Sequence, residues 1–311
     1  MLAKLILAAA PLLALVAGAP APTASAAPKP PTFPSNPDHL NTTTGARPGQ
    51  GAHQLLLSNP PALNSSRFHN NIALSAQDGI GSVVTGDGLA WYNGDFTVGG
   101  SGYQDPNYYY CFRGIKENFP SFNSWMNFYT MFDLNQFHTM VNYDSGPEQG
   151  AIYNAIVQVS QEAKVDARLI LAVIMQESSG NVRVGCTNNG VQNCGLMQAY
   201  AGSVSYDPNN MAASILQMVR DGTQGTSQGP GYVQWISQNS ETSYAGPTQG
   251  NPYQAARGYN SGSINFADLS DPKGATDSYV SDLANRLLGW NGNTCGNNYW
   301  TSCGWAGNAW C

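Results

Sequence analysis

The chain has 311 residues and a formal net charge of −6, and only 10% of its residues are charged, against roughly 25% in an average soluble protein. This length favours one or two domains, and a hydrophobic fraction of 42% is sufficient for a sizeable core. The 13 Lys and Arg against 19 Asp and Glu leave no basic stripe. A function that depends on binding a nucleic-acid backbone is therefore excluded, and we expect no nucleic-acid partner.

Residues 1–26 have the pattern of a secretory signal peptide, in which Lys4 precedes the apolar run Leu5–Val16 and small residues follow it. Cleavage fits any point between residues 18 and 26, and the sequence does not decide. The apolar run has 12 residues, whereas a membrane-spanning helix needs roughly 20. We therefore expect a secreted, extracellular protein with no membrane association.

Residues 27–79 are rich in Pro, Ser and Asn, which predicts a flexible leader. Two N-glycosylation sequons lie in it, at Asn41 and Asn64. The signal, the leader and the sequons together fit a secreted eukaryotic protein of fungal type.

Residues 80–144 form an aromatic and Gly-rich N-terminal extension. A strand-like run covers Gly88 to Tyr92, and the spacing predicts a helix over Phe122–Phe132. We interpret this extension as packed on the domain that follows it. A separate small carbohydrate-binding module is the alternative.

The fold class predicted for residues 145–290 is mainly α. Ser145 and Glu148 form a capping box at the first helix, and Asp166 caps a second helix over residues 167–178, which Gly180 ends. Three more helices are predicted: from Asp207 to Gly222, from Asn251 to about Tyr259, and from Thr276 to Leu288.

Six cysteines behind a signal peptide predict disulfides, with 15 possible pairings. Cys186 and Cys194 close a short loop and are the first expected pair. Residues 291–311 form a Cys- and Trp-rich tail, and we expect Cys111 to bond one of its three cysteines. The histidines are scattered and none has a partner at metal-ligand spacing, so we expect no metal and no cofactor. The three tail cysteines are Cys295, Cys303 and Cys311. The histidines are His39, His53, His69 and His138.

The tail and the residue before it are rich in aromatic side chains, which suits either a sugar-stacking platform or a disulfide-stapled aromatic mini-core. We favour the mini-core. The side chains are those of Trp290, Tyr299, Trp300, Trp305 and Trp310.

Glu177 is one of only five glutamates in the chain, and it follows the apolar run Leu169–Met175 at the end of the predicted second helix. A carboxyl group at the end of a buried helix loses solvation, which raises its pKa. A Glu that stays protonated near neutral pH can act as a general acid. The alternative is that Glu177 lies just beyond the buried part and points to water.

Three segments carry a resemblance to a known family. The strings Ile-Met-Gln-Glu-Ser-Ser-Gly-Asn at 174–181, Asn-Cys-Gly-Leu-Met-Gln at 193–198 and Ala-Arg-Gly-Tyr-Asn-Ser-Gly at 256–262 occur in this order. They resemble the catalytic-Glu, Gly-Leu-Met-Gln and Tyr-Asn-x-Gly segments of soluble lytic transglycosylases and goose-type lysozymes. The resemblance covers roughly residues 145–290 and implies a lysozyme-like fold.

The resemblance implies roles residue by residue. Glu177 is the acid that protonates a β-1,4 glycosidic oxygen, Ser178 lies beside it in the substrate groove, and Tyr259 donates a hydrogen bond to the Glu177 carboxyl. Asn260 contacts the sugar. Gly195, Leu196, Met197 and Gln198 line the groove, the last through its side-chain amide. The alternatives are a core aromatic for Tyr259 and a packing residue for Met197.

One departure from the family pattern bears on the mechanism. Hydrolysing glycosidases usually need a second carboxylate, and goose-type enzymes have an acid just after the Gly-Leu-Met-Gln segment. Here Ala199 and Tyr200 stand in that place, and the nearest acid, Asp207, is interpreted first as a helix cap. This favours the single-Glu scheme of lytic transglycosylases.

The function that follows is cleavage of β-1,4 bonds in an N-acetylated glycan, with peptidoglycan expected as substrate and the enzyme acting as a monomer. The enzyme is then either a muramidase, with water as the final acceptor, or a lytic transglycosylase. Cleavage of chitin or its oligomers on the same fold is one alternative. A sequence pI of about 5.0 gives no long-range attraction to anionic bacterial walls, which favours that alternative. The second alternative to peptidoglycan cleavage is that the chain is a non-catalytic secreted glycan-binding protein.

Overall fold

The structure is a computed structural model that describes residues 82–100, 102–103, 105–237, 250–292 and 303. The signal peptide, the leader with Asn41 and Asn64, and the tail residues Cys295 and Cys311 lie outside the described residues. So do the tail aromatics Tyr299, Trp300, Trp305 and Trp310.

The described part is mainly helical, which confirms the predicted fold class. None of its helices is long and apolar enough to cross a membrane. Short 3₁₀ helices cover Gly86–Trp91, Lys116–Asn118, Phe122–Ser124, Met140–Asn142 and Pro208–Asn210. The longer elements, in chain order, are α1 (Phe128–His138), α2 (Gly146–Ala163), α3 (Ala167–Ser178), β1 (Thr187–Asn188), β2 (Gln192–Asn193), α4 (Met211–Gln224), α5 (Tyr232–Ile236), α6 (Pro252–Ser261) and α7 (Tyr279–Leu287).

Helices α2 and α3 begin where the sequence predicts. Ser145 and Glu148 form the capping box of α2, and the Asp166 side chain accepts a hydrogen bond from the Arg168 backbone N–H at the start of α3. Every residue from Leu169 to Met175 is buried. Helix α3 is therefore a central helix surrounded by protein, and its C-terminal end carries Glu177.

Two predictions in the extension were wrong. Gly88–Tyr92 is not a strand, because Gly86–Trp91 is a 3₁₀ helix. A Cβ at Gly88 would lie 2.8 Å from the Val84 side chain and 3.0 Å from the Ile236 carbonyl oxygen. The helix predicted over Phe122–Phe132 is broken before Asn127. The Asn127 side chain caps a new helix, α1, by accepting from the Thr130 N–H.

Three further helix bounds differ from the prediction. Helix α4 runs past Gly222 to Gln224, so Gly222 lies inside the helix and does not end it. A Cβ at Gly222 would collide with the Met197 side chain, which packs against the helix there. Helix α3 ends at Ser178 as predicted, and its C-cap is Ser179, which is left-handed like the Gly180 that follows it. Helix α6 ends at Ser261 and α7 begins at Tyr279, and the short α5 and the β1–β2 pair were not predicted.

The N-terminal extension packs on the helical domain through buried polar contacts. Tyr103 donates to Asn285 at 2.8 Å, Tyr109 donates to Asp282 at 2.6 Å, and the Trp125 indole donates to Tyr253 at 2.9 Å. Cys111 is bonded to Cys303, which confirms that Cys111 pairs with the tail cluster. Trp290 is buried against Tyr109, ring edge to ring face. This contact is consistent with a mini-core at that residue.

Candidate active site

Glu177 lies in the last turn of α3, where the helix emerges from the core. Its side chain is partly buried, and its Oε1 accepts a hydrogen bond of 2.5 Å from the Tyr279 hydroxyl. Tyr279 is the first residue of α7 and is itself buried. The carboxyl is thus reachable from solvent on one side and held by a phenol on the other.

The pKa of Glu177 is raised from 4.5 to about 7. Burial is the main cause, because the surrounding protein solvates a carboxylate poorly, and the hydrogen bond from Tyr279 opposes it. The carbonyl end of α3 also disfavours a negative charge in the last turn. Glu177 is therefore protonated for a substantial fraction of the time near neutral pH, as a general acid requires.

The bond predicted from Tyr259 to Glu177 is not made. The Tyr259 hydroxyl donates instead to the Met197 carbonyl at 2.8 Å, and Tyr279 takes its place at Glu177. Both phenols lie near the carboxyl, since the charge of Glu177 raises the pKa of each. Sequence reasoning missed Tyr279 because only the apolar face of the last helix was considered.

The segment Gly195–Gln198 reaches the site through its backbone. The side chains of Leu196 and Met197 are fully buried, and that of Met197 contacts Gly222 and Thr223 of α4. This supports the packing alternative for Met197. Gly195 has φ +75°, and a Cβ there would lie 2.7 Å from the Val204 carbonyl oxygen, so this position requires glycine.

The side chains of Gln198 and Ser178 are engaged by the protein itself. The Gln198 amide accepts from the Thr187 N–H and hydroxyl and donates to the Gly185 and Gly195 carbonyls, which uses its whole hydrogen-bonding capacity. Ser178 donates to the Ile174 carbonyl and accepts from Gly180. As placed, both brace the site, and their predicted sugar contacts find no support in this geometry.

Asn260 differs from these two residues. Its Oδ1 accepts from Arg257 and from the Thr276 N–H, at 3.0 and 3.2 Å. Its Nδ2 donates to no acceptor among the described residues, and the residue is partly exposed. This amide nitrogen is oriented from one side and free on the other, so its predicted contact with sugar remains available.

The loop between Glu177 and the Gly195 segment is closed by the predicted disulfide between Cys186 and Cys194. Inside it, β1 and β2 pair antiparallel, with Thr187 opposite Asn193. Thr187 also holds Gln198. The disulfide and this side-chain bond connect the loop directly to the segment that lines the site.

Removing the loop disulfide should destabilise the protein. For the Cys186→Ala/Cys194→Ala double variant we expect a loss of about 2–3 kcal/mol in the free energy of unfolding, because a loop of this length gains that much chain entropy when it is opened. Denaturant unfolding of the oxidised proteins measures the loss. A single Cys194→Ala variant is unsuitable as a control because it leaves a free thiol, so Ser205→Ala, beside Cys186, serves instead. An unchanged midpoint in the double variant would contradict the prediction.

Helix α7 braces the end of α3 with three residues on one face. Tyr279 contacts Glu177, while Asp282 and Arg286 both bond the neighbouring Gln176, which donates to Asp282 at 2.9 Å and accepts from Arg286 at 2.9 Å. Spacings of three and seven residues place these side chains on the same side of a helix. The orientation of Glu177 is therefore set by the packing of α7 on α3.

The other carboxylates near these elements have structural partners. Asp207 caps its helix as predicted, and hydrogen bonds from Asn210 and Asn209 lower its pKa. Asp221 is buried and accepts from Val204 and Gln217. Each is committed to the fold where it stands. Asp221 also lacks the solvent access that a base or nucleophile needs, whereas Asp207 is partly exposed and is used as a helix cap.

Glu148 is likewise committed. Burial opposes its charge, but hydrogen bonds from Arg183, Tyr206 and Ser145 outweigh burial and lower its pKa to about 2. Arg183 follows α3 in the chain, so this ion pair connects the segment after α3 to the start of α2. In the described ranges, no group of three or more His, Cys, Asp or Glu side chains is placed to hold a metal ion.

A family model described as the transglycosylase SLT domain matches residues 154–280. Residues 154–280 form a transglycosylase SLT domain. The matched range contains Glu177, the Gly195 segment, Tyr259 and Tyr279. Comparisons with curated proteins and with solved structures found no match. The SLT domain is that of lytic transglycosylase- and lysozyme-like enzymes, so this chain is an enzyme that cleaves a glycan, and the non-catalytic alternative is set aside.

Proposed function

We propose that the protein is a secreted lytic transglycosylase that cleaves the β-1,4 bonds of peptidoglycan with Glu177 as its acid and base. The observation that carries this proposal is the place of Glu177 in the SLT domain: it accepts a hydrogen bond from the Tyr279 phenol, burial raises its pKa to about 7, and no carboxylate is paired with it among the described residues. A single carboxyl of this kind suits a mechanism in which the substrate supplies the second group.

The proposed reaction has two steps. Glu177 first gives its proton to the glycosidic oxygen, the bond to the anomeric carbon breaks, and the substrate's own acetamido oxygen stabilises that carbon. Glu177, now a carboxylate, then removes the proton from the C6 hydroxyl, whose oxygen bonds the anomeric carbon. The product is an anhydro-sugar end, and Glu177 has regained its proton.

The remaining site residues support substrate binding by position. The backbone of the Gly195 segment, held by Tyr259 and Gln198, offers N–H and C=O groups to the acetamido and hydroxyl groups of the glycan. The free amide nitrogen of Asn260 offers a further donor.

Chitin cleavage on the same site is the second candidate, favoured by a net charge of −6, which gives no attraction to an anionic wall.

Product analysis tests the proposal. The protein is incubated with purified peptidoglycan and with chitohexaose, and the products are analysed by mass spectrometry. We expect peptidoglycan fragments that end in an anhydro-sugar, 18 Da lighter than hydrolysed ones, since no water is added. Fragments from chitohexaose alone would support the second candidate. Peptidoglycan fragments with reducing ends would show that water is the acceptor and would overturn the transglycosylase mechanism.

A further inference from the structure

A small open pocket of about 240 Å³ lies beside the catalytic helix. It is lined by His138 and Thr139 at the end of α1, Ser179 at the end of α3, Arg286 of α7, and Asn291 with Gly292. Its volume is below the about 300–1,000 Å³ of pockets that enclose a whole small-molecule ligand. It therefore suits a single functional group with a short side chain, and not a disaccharide.

Arg286 gives this pocket its chemistry. The residue is only 7% exposed. Its Nε donates to Gln176 at 2.9 Å, and its guanidinium carbon lies 4.9 Å from the centre of the Trp290 ring. These contacts fix the plane of the guanidinium. The terminal nitrogens Nη1 and Nη2 have no hydrogen-bond acceptor among the described residues.

The other buried arginines do not share this feature. Arg168 is paired with Asp166, Arg220 with Glu162, and Arg257 donates through each of its nitrogens to carbonyl or amide oxygens. Asp282 is close enough to favour the charge of Arg286, but the two form no direct ion pair within the described ranges. Burial lowers the pKa of Arg286 to about 10, so the group is charged at pH 7.

The residues that line the pocket leave Nη1 and Nη2 of Arg286 accessible. A Cβ at Gly292 would lie 3.0 Å from Nη1 and 3.1 Å from Nη2, so any larger residue there would cover them. Ser179 has φ +57°, a conformation that residues with a side chain seldom adopt. Its hydroxyl makes no hydrogen bond with a described residue.

We infer that this pocket binds a carboxylate of the substrate, carried by the peptide that branches from a peptidoglycan chain. Two parallel N–H donors on a fixed guanidinium match the two oxygens of a carboxylate. Ser179 is two residues from Glu177, so a group bound here is attached to a sugar close to the bond that is cleaved. The inference rests on the proposed peptidoglycan substrate, since chitin carries no such carboxylate.

The test compares two substrates, peptide-bearing glycan chains and the same chains after an amidase has removed the peptides. The first variant is Arg286→Gln. The second is Ser179→Asp, which places a competing carboxylate beside the guanidinium, and Ser179→Asn is its uncharged match. Both Asp and Asn tolerate the left-handed conformation at this position better than other residues with a side chain do.

We expect Arg286→Gln to raise the KM of the peptide-bearing chains roughly tenfold, the worth of one good charge-assisted hydrogen-bond pair. Ser179→Asp should raise it similarly relative to Ser179→Asn. For the peptide-free chains, Ser179→Asp and Ser179→Asn should have equal KM. If Ser179→Asp and Ser179→Asn differ equally on both substrates, or on neither, the inference is wrong.

A binding experiment separates this inference from the proposed function. Isothermal titration of the Glu177→Gln protein with a soluble peptide-bearing disaccharide, the same disaccharide without peptide, and sodium acetate measures the carboxylate directly. Tighter binding of the peptide-bearing form, lost in the Arg286→Gln background, supports the inference. Equal affinity for acetate and the peptide would make the pocket a site for free anions and overturn it. If the wild-type protein cleaves only chitohexaose, the proposed function fails, whatever the titration shows.

Discussion

Glu177→Gln should abolish glycan cleavage while the fold is kept. The glutamine amide has nearly the shape of the carboxyl, and its oxygen can still accept the hydrogen bond that Tyr279 donates to Glu177. It has no proton to give to a glycosidic oxygen, and loss of a general acid typically costs 10²–10⁴-fold in rate. We expect a reduction of roughly 10³-fold in kcat, measured as release of soluble fragments from peptidoglycan.

Glu117→Gln is the matched control. Glu117 is an exposed carboxylate in the N-terminal extension, next to Lys116, so the same chemical change is made outside the site. Its activity should equal that of the wild-type protein. A folded Glu177→Gln protein with wild-type kcat would remove Glu177 from the mechanism.

The same substitution should stabilise the protein above neutral pH. The folded-state pKa of Glu177 is raised from 4.5 to about 7, so the folded state holds this proton more tightly than the unfolded state. The stability that this provides is fully present below pH 4.5 and is lost as pH rises through about 7. Glutamine does not ionise and escapes this loss, which amounts to about 3 kcal/mol.

Denaturant unfolding at pH 4 and at pH 8 measures this effect. At pH 4 the wild-type and Glu177→Gln proteins should unfold at similar midpoints, and at pH 8 the variant should be the more stable. An equal difference at both pH values would show that Glu177 is not desolvated in the folded protein. Burial of Glu177 thus lowers the stability of the folded protein at neutral pH, and it also keeps a proton on the carboxyl that can be given to the substrate.

The helical domain was predictable because local signals and burial agree there. The capping box at Ser145, the cap at Asp166 and the apolar run of α3 each act within one or two turns of a helix, and the structure confirms them. Gly222 shows the limit of local signals. From the sequence, a glycine within a helical pattern predicts the end of the helix. In the structure Gly222 instead leaves room for the side chain of Met197, which is distant in the chain.

The site was predictable in part for the same reason. Glu177 was identified by its place at the end of a buried helix together with the family motif around it, and both are properties of short segments. Its partner depends on how α7 packs on α3, across 102 positions of sequence, and the local motif at 256–262 indicated Tyr259 instead of Tyr279. Arg286 was missed likewise, because its unpaired nitrogens are a property of its surroundings and not of its sequence neighbours.

Tyr279→Phe should move the pH dependence of activity and lower kcat. In the wild-type protein, activity should fall as pH rises through about 7, because the pKa of Glu177 is about 7 and the proposed mechanism needs its protonated form. The hydrogen bond from Tyr279 opposes the rise of the Glu177 pKa. Without it the pKa rises further, and the alkaline limb of the kcat profile shifts to higher pH.

The loss of kcat has a separate cause. Tyr279 holds the Glu177 carboxyl at 2.5 Å, and a catalytic group displaced by about 1 Å can lose roughly 10²-fold in rate. We expect kcat to fall between about 10-fold and 100-fold, with KM nearly unchanged. Tyr279 is a positioning residue, since it acts through Glu177 and does not transfer the proton itself.

Tyr259→Phe decides between the two phenols. Its hydroxyl donates to the Met197 carbonyl and not to Glu177, so its removal should loosen the Gly195 segment and raise KM while the alkaline limb stays at its wild-type pH. A shifted limb in Tyr259→Phe together with an unshifted limb in Tyr279→Phe would assign the carboxyl's partner to Tyr259. The expected pair of results instead shows that the contact of α7 with α3 orients the single carboxyl and limits the rise of its pKa, while burial is what raises that pKa.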